Sequence, residues 1–138
     1  MSKIDIFEGN NAFLSNFFTC EILFEGETYP TSEHAFQAAK TTDPEERKRV
    51  REKKTPAQAK MAGKRVTLRR NWNFERTAWM KTVLEIKFQN PELREKLRQT
   101  GTAELVEGNT WNDRFWGVCH GQGENRLGRI LMQIRATL

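Results

Sequence analysis

The sequence is poor in the residues that bind metals and form disulfides. Its 138 residues include two cysteines and two histidines. Cys20 and Cys119 stand far apart and in no C-x-x-C pair, and the chain has no H-E-x-x-H motif, although zinc sites and redox pairs depend on such spacings. The sequence therefore argues against a metal site. We expect no metal, no cofactor and two free thiols, as is usual in a reducing cytoplasm.

Long apolar runs and nucleophile motifs are also missing. No apolar segment approaches the roughly 20 residues that a membrane-spanning helix needs, and the N-terminus lacks the apolar core of a signal peptide. No G-x-S-x-G elbow occurs, and Cys119 and His120 are neighbours whose side chains need not face each other. We therefore expect a soluble cytoplasmic protein, without a membrane partner, that does not use a serine or cysteine nucleophile.

Acidic residues are nearly absent from residues 47–70. This window holds eleven lysines and arginines and one acid, Glu52, so its net charge is +10, whereas the rest of the chain sums to −5. Two interpretations stay open, a solvated helix face and a site for phosphate groups. Arg69 and Arg70 favour the second, because a short loop beside Trp72 can direct guanidinium groups at a phosphate.

The apolar pattern and the helix-start signals predict a mixed α+β fold, mostly helical with a small β-sheet, in a single domain over residues 1–138. Strands are expected at 4–7, 20–24, 28–29 and 103–106, with a hairpin turn at Glu25-Gly26. Helices are expected from Pro30-Thr31-Ser32 to about residue 40, after Asp43-Pro44, from Thr55-Pro56 to Gly63, at 73–90, at 91–101 and from Asn125 onward.

The segment Glu107–Arg129 has the composition of a binding loop. It contains five glycines, two tryptophans and the isolated Asp113, with no helical or strand period. Two interpretations of Asp113 stay open. It is a structural residue of the loop, in an Asx turn or an ion pair with Arg114, or it is an acid whose pKa is shifted by aromatic neighbours so that it can transfer a proton. The stretch from Gly121 to Asn125 leads into a helix and is a candidate phosphate cradle.

A second cluster lies near the N-terminus, in residues 13–18 and 29–37. Glu33 falls in the first turn of the predicted helix, where an acid complements the helix dipole. The alternative is a carboxylate held at the lip of a pocket. Trp72, near a helix start, is by position a core anchor.

Six motifs occur in an order that resembles the NADAR (YbiA-like) N-glycosidase family. They are FLSNF at 13–17, YPTSEHAFQAAK at 29–40, RNW at 70–72, LVE at 105–107, NDRFWG at 112–117 and NRLGRILM at 125–132. The resemblance covers nearly the whole chain. It implies a compact α+β domain that hydrolyses an N-glycosidic bond to ribose, with Glu33, Trp72 and Asp113 as the residues of catalysis.

The same resemblance guides the prediction of binding residues and roles. Substrate-binding residues are predicted at Asn16, Arg70, Asn112, Trp116, Gly117 and Asn125. Asp113 is expected to act on water or the departing amine and Glu33 to stabilise the oxocarbenium ion or anchor a ribose hydroxyl, although these roles are interchangeable at this stage. Trp72 and Trp116 are candidate stacking platforms. Glu33, Trp72 and Asp113 are expected to converge on one pocket.

Family substrates include phosphorylated ribosylaminopyrimidine intermediates of riboflavin biosynthesis, and this phosphorylated ribosyl small molecule is the expected partner. One alternative is removal of ADP-ribose from guanine in nucleic acid, with residues 47–70 following the backbone. Another is a non-catalytic module that binds ADP-ribose or nucleic acid. The chain has Val118-Cys119-His120 where a more glycine-rich loop is expected in riboflavin-pathway members, a difference that bears on substrate choice.

Overall fold

The protein's computed structural model describes residues 2–138, and its contacts divide the chain into two units. One comprises the chain up to Ser15 together with Phe88–Leu138, and the other comprises Asn16–Lys87. In chain order the elements are β1 (Lys3–Ile4), a 3₁₀ helix (Gly9–Leu14), β2 (Thr19–Phe24), β3 (Glu27–Thr31), α1 (Ser32–Ala39), α2 (Pro44–Arg51), α3 (Pro56–Gly63), α4 (Trp72–Lys87), α5 (Pro91–Gln99), β4 (Glu104–Leu105), β5 (Gly108–Asn109), β6 (Val118–Cys119) and α6 (Arg126–Ala136).

In the unit Asn16–Lys87, helix α1 is the central element. All eight of its residues are buried, because it packs against the β2–β3 hairpin and against α2, α3 and α4. The predicted hairpin is confirmed: β2 and β3 are antiparallel. Glu25 and Gly26 turn the chain with φ values of 48° and 88°, and two positive values in succession are what a tight two-residue hairpin turn needs.

The predicted helix starts are also confirmed. Asp43 accepts a hydrogen bond from the backbone N–H of Glu45, and Thr55 accepts one from that of Gln58. Each cap is followed by a proline at the first helical position, where the missing N–H costs nothing. These caps fix the starts of α2 and α3, the two helices that carry much of the basic window.

The other unit contains the glycine-rich segment and its supports. Strand β1 pairs in parallel with β4, β5 pairs in parallel with β6, and α6 packs on β4. A Cβ at position 128 would lie 2.1 Å from the carbonyl oxygen of Leu105, so glycine is what lets α6 approach β4 closely.

The fold is α+β and mostly helical, as predicted, with three differences. The predicted strands 4–7 and 103–106 shorten to β1 and β4, α4 runs over Trp72–Lys87 instead of 73–90, and the small sheet is three two-stranded sheets. Strands β5 and β6 were not predicted, because two residues carry no period. No helix within residues 2–138 has the length and apolarity to cross a membrane.

Candidate active site

Glu33 lies in the first turn of α1 with its side chain almost wholly buried, at 8% exposure. Thr31, not Glu33, caps the helix by accepting a hydrogen bond from the backbone N–H of His34. Gln37, one turn further along, donates a 2.6 Å hydrogen bond from Nε2 to Oε2 of Glu33. Glu33 is therefore a fixed carboxylate whose position depends on an amide of its own helix, an arrangement beyond simple dipole complementation.

Gln37 in turn depends on a close approach of α3. A Cβ built on Gly63, the last residue of α3, would lie 1.9 Å from Oε1 and 3.0 Å from Cβ of Gln37. Any larger residue at position 63 must displace Gln37. Gly63 was predicted as a helix end, and its link to Glu33 through Gln37 is visible only in the folded chain.

Lys40 adds a cation to the same part of α1. It follows Glu33 by seven residues, about two helical turns, so the two side chains lie on one face of the helix. Burial lowers the pKa of Lys40, whereas the nearby Glu33 carboxylate raises it and Lys60, Lys64 and Arg76 lower it. Lys40 stood in a quoted motif but was not predicted as a site residue. Its signal was a lysine that directly follows a helix ending in small residues, seven positions after Glu33.

Trp72 begins α4 and is 6% exposed. Its ring packs against Phe36, with centroids 5.3 Å apart and planes at 46°. Phe36 is three residues after Glu33 and therefore shares its face of α1. Trp72 thus serves as a core anchor, and only a small edge of its ring is open to a ligand.

Arg69 and Arg70 have different environments. Arg69 donates from Nε to the carbonyl of Ala39 at 2.7 Å, and its guanidinium lies 4.1 Å from the centroid of the Trp79 ring. Arg69 therefore supports the end of α1. Arg70 is exposed and makes no hydrogen bond or ion pair with the described residues, so its guanidinium is available to an anion.

Asn16 holds the start of α1. Its Oδ1 accepts a 2.8 Å hydrogen bond from Ser32 Oγ, and its backbone carbonyl accepts one from the N–H of Glu33 at 3.1 Å. The Nδ2 group contacts the sulfur of Met80 at 3.5 Å. With 8% exposure, Asn16 positions Glu33, whereas a direct contact with substrate stays a prediction.

Asp113 forms an Asx-type turn in the glycine-rich segment. Its Oδ1 accepts hydrogen bonds from the backbone N–H groups of Phe115 at 3.1 Å and Trp116 at 2.9 Å. Its Oδ2 has no partner among residues 2–138, and no ion pair with Arg114 forms within that part of the chain. The side chain is half-buried. One carboxylate oxygen is thus fixed and the other is free to meet a ligand.

Asn109 fixes the backbone on which Asp113 sits. It accepts from the Asp113 N–H at 3.0 Å and donates to the Asp113 carbonyl at 2.8 Å. Its Nδ2 also lies 3.3 Å from Oε2 of Glu107. One amide therefore links two acids, Glu107 and Asp113. Neither Asn109 nor Glu107 was predicted as a site residue, because an amide four positions before an acid is common in loops.

Gly117 and Asn125 join the two ends of the segment. A Cβ on Gly117 would lie 1.8 Å from Oε2 of Glu107, so only glycine fits. Asn125, at φ 51°, accepts from the Glu107 N–H at 3.0 Å and donates to the Leu105 carbonyl at 2.9 Å. Both residues were predicted to bind substrate. In the structure, the amide of Asn125 serves the backbone, and the binding role stays a prediction.

The candidate phosphate cradle at residues 121–125 has few free backbone donors. The N–H of Gln122 donates to the carbonyl of Cys119, and the N–H groups of residues 124–127 donate to the carbonyls of residues 114–117. Three of the cradle's five N–H groups are therefore used within the chain, which argues against anion binding there.

Aromatic residues surround Asp113. Trp116 is half-buried and meets Phe115 edge to face, with centroids 4.8 Å apart, while the Arg126 guanidinium lies 4.2 Å from the centroid of the Phe115 ring. Trp111 is 61% exposed, and the neighbouring Asn112, also exposed, has φ 67°. The ring of Trp116 is thus held in place by Phe115, whereas the ring of Trp111 is exposed to solvent.

The predicted residues accordingly form two groups, each within one unit. Glu33, Asn16 and Trp72 lie around the start of α1 and α4. Asp113, Trp116, Gly117, Asn112 and Asn125 lie in the glycine-rich segment. The expectation that Glu33, Trp72 and Asp113 share one pocket stays a prediction.

Comparisons with known proteins identify relatives along most of the chain. The sequence profile of the NADAR domain matches residues 6–138. The chain is 43% identical over 128 residues to N-glycosidase YbiA of Escherichia coli (strain K12), covering 90% of this chain and 79% of that protein. It is 34% identical over 131 residues to an N-glycosidase of Nostoc punctiforme, covering 90% and 83%.

Two further comparisons extend this result. A riboflavin biosynthesis protein of Vibrio vulnificus (strain YJ016) is 38% identical over 133 residues, which are 94% of this chain and 36% of that longer protein. The NMR structure of E. coli YbiA superposes with a TM-score of 0.85 at 39% identity, covering 99% of this chain and 86% of that one.

Proposed function

This chain belongs to the NADAR domain family and is an N-glycosyl hydrolase, and from this premise we propose that it cleaves the C–N bond of a phosphorylated N-linked ribose. The names of two relatives support the reaction, and that of a third, a riboflavin biosynthesis protein, supports a ribosylaminopyrimidine phosphate as substrate.

Cleavage of this bond makes two chemical demands. Positive charge develops at C1′ and the ring oxygen of the ribose, so a nearby carboxylate lowers the barrier. Water must also be oriented or deprotonated as it attacks, and negative charge on the leaving base must be stabilised. Two acids held in different ways can divide these tasks.

Asp113 is the proposed residue for the attacking water or the departing amine. The observation that carries this proposal is the asymmetry of its carboxylate: two backbone N–H groups hold Oδ1, and no residue described by the structure forms a hydrogen bond or ion pair with Oδ2. A carboxylate fixed through one oxygen presents the other in a constant direction, which is what proton transfer needs.

Glu33 is the proposed stabiliser of the oxocarbenium ion or anchor of a ribose hydroxyl. Its side chain is buried, and the Gln37 amide orients Oε2. Lys40 places a positive charge near this carboxylate: burial lowers the pKa of Lys40, and the interaction with Glu33 partly offsets this effect. Because the surroundings are of low dielectric, a small separation between Glu33 and the sugar gives a strong interaction.

The remaining predicted residues have supporting roles in this proposal. Trp116 is the stacking platform for the leaving base, since its ring is half-buried and fixed by Phe115. The edge of Trp72 completes the wall near α1. Arg70, exposed and unpaired among the described residues, is the proposed contact for the substrate phosphate.

The Asp113→Asn variant tests the catalytic proposal. Asparagine retains an Oδ1 acceptor for the Phe115 and Trp116 amides but lacks the charge, so the loop should keep its shape. We expect kcat/KM to fall by roughly two to four orders of magnitude, the usual effect of a positioned acid or base. Glu124→Gln, an exposed acid of the same segment, is the matched control and should retain activity. Near-normal turnover by Asp113→Asn would remove Asp113 from the chemistry.

The substrate is tested by direct competition of candidates. The purified protein is incubated in parallel with ribosylaminopyrimidine phosphate, NAD, ADP-ribose and DNA that carries ADP-ribosylated guanine, and free base is measured by mass spectrometry. Release from the pyrimidine phosphate alone supports the proposal. Release from the modified DNA alone would replace it with the second candidate, removal of ADP-ribose from guanine, which the basic charge of residues 47–70 favours.

A further inference from the structure

The basic window of residues 47–70 contains a cavity that the proposed reaction does not use. The cavity has a volume of about 540 Å³ and lies between α2 and α3. Its walls come from the two helices and from the residues that follow each of them. None of the lining residues belongs to the candidate active site, so the cavity calls for its own explanation.

The cationic side chains of Arg49, Lys53 and Arg65 line the cavity. All three are exposed residues, and within residues 2–138 none of them forms an ion pair shorter than 4 Å. Other cations of the window are already engaged: Arg47 pairs with Glu25 at 2.8 Å and Arg51 with Glu27 at 3.7 Å. Three of the unpaired cations of the window are therefore gathered at the cavity, while others, such as Lys48, Lys54 and Arg70, lie outside it.

One carboxylate also lines the cavity, and its hydrogen bonds are made elsewhere. Oε1 of Glu46 accepts from Thr41 Oγ1 at 2.7 Å and from the Thr67 N–H at 3.0 Å, and Oε2 accepts from the N–H and Oγ1 of Thr67. These bonds, with a smaller contribution from Arg49, lower the pKa of Glu46. Glu46 is therefore an ionised structural group that offsets one of three positive charges, and the cavity remains net positive.

Apart from Gln58, the rest of the wall is apolar. Val50 is fully buried, whereas Met61 is 56% exposed. A thioether side chain is flexible and polarisable, and it adapts to flat or irregular ligands. Apolar walls with a few convergent charged groups, in a volume between about 300 and 1,000 Å³, are typical of small-molecule sites.

We propose that the α2–α3 cavity binds a mononucleotide-like phosphate ester. Arg49, Lys53 and Arg65 contact the phosphate, and the ring of the ligand lies against Met61 and the half-buried Val66. A nucleic-acid backbone is the less suitable occupant, because it needs a continuous track of cations, whereas here Arg47 and Arg51 are turned to acids of the β2–β3 hairpin.

Binding can be tested without any assay of catalysis. Adenosine 5′-monophosphate is titrated into the full chain, and amide and methionine-methyl NMR shifts report which residues respond. We expect the largest changes at Met61, Lys53 and Arg65. The double variant Lys53→Gln/Arg65→Gln should weaken binding by roughly tenfold or more, because each charged contact to phosphate is lost.

The control variant is Lys48→Gln/Lys54→Gln, which removes two exposed cations of the same window that do not line the cavity. It should bind the nucleotide as the unaltered protein does. Adenosine and inorganic phosphate, titrated separately, should each bind more weakly than the nucleotide. Thermal melting of both variants verifies that these surface changes leave the fold intact.

Three results would overturn the proposal. Shifts that avoid Met61 and the cavity cations would show that the nucleotide binds elsewhere. Equal affinity for inorganic phosphate and the nucleotide would remove the role of the apolar wall. Equal weakening by both double variants, with tighter binding of a single-stranded oligonucleotide, would replace the cavity with a nucleic-acid track.

Discussion

The Gly63→Ala substitution should reduce activity although position 63 is outside the catalytic group. The Cβ of alanine would lie 1.9 Å from Oε1 and 3.0 Å from Cβ of Gln37, distances at which something must move. Gln37 cannot stay in place and keep its 2.6 Å hydrogen bond to Glu33. The expected consequence is a Glu33 carboxylate that is no longer oriented.

The size of the effect follows from the contact that is lost. A hydrogen bond to a charged group contributes about 1.5–3 kcal/mol, so kcat/KM should fall by roughly 10- to 100-fold if this bond orients Glu33 for catalysis. Helix propensity acts in the opposite direction, because alanine in a helix is favoured over glycine by about 1 kcal/mol. A loss of activity cannot therefore be attributed to a poorer helix.

A double-mutant cycle with Gln37→Ala isolates the mechanism. Gln37→Ala removes the two atoms closest to the new Cβ, Oε1 and Cδ, and leaves only the 3.0 Å approach to the Cβ of residue 37, so Gly63→Ala should have little further effect on kcat/KM. The assay is the initial rate of base release by all four proteins, with thermal melting in parallel. Additive losses in the cycle, or full activity of Gly63→Ala alone, would refute the idea that Gly63 acts on Glu33 through Gln37.

Three other predictions concern stability, metals and salt. Burial lowers the pKa of Lys87 to about 8 from the ordinary 10.5, so between these pH values the unfolded state binds one more proton than the folded state and stability rises with pH. Relative to Lys87→Met, the free energy of unfolding of the unaltered protein should increase by about 3 kcal/mol from pH 8 upward. The control Lys81→Met, on the same helix, should not remove this rise. A constant difference between the unaltered protein and Lys87→Met would contradict it. Turnover should survive exhaustive treatment with EDTA, and a loss that zinc or magnesium restores would show that the carboxylates bind metal. Substrate affinity should depend modestly on salt, whereas a log–log slope steeper than about −3, or roughly four phosphates, would favour a nucleic-acid substrate.

Local chemistry made much of the fold predictable. Helices α2, α3 and α5 each begin with a capping side chain followed by proline, and these signals act within four residues. The hairpin turn at Glu25 and Gly26 is equally local. The two-residue strands β5 and β6 could not be predicted from local sequence. They pair because Gly117 lets the two backbones approach closely, and neither strand contains a pattern that indicates this pairing.

The sequence predicted the two acids of the candidate site but did not predict the residues that position them. Glu33 and Asp113 stand in motifs of unusual composition. Gln37, Asn109 and Asn125 are amides, which occur in most loops and helices, and their importance depends on partners that only the folded chain brings near. Asn125 is an example. Its motif predicted contact with substrate, whereas its side-chain amide forms hydrogen bonds with the backbone of Leu105 and Glu107.

The two acids are held by different means, and this difference determines where each is vulnerable. Glu33 depends on a side chain, Gln37, which in turn depends on the packing of α3 at Gly63. Asp113 depends on backbone groups, since its own turn is closed by main-chain N–H donors and the segment around it is closed by hydrogen bonds between residues 114–117 and 124–127. Preorganised donors of this kind need no rearrangement during the reaction. Substitutions in α3 should therefore impair the function of Glu33, whereas Asp113 should be displaced by changes that alter the backbone of the glycine-rich segment, including loss of the Asn109 amide that holds this backbone.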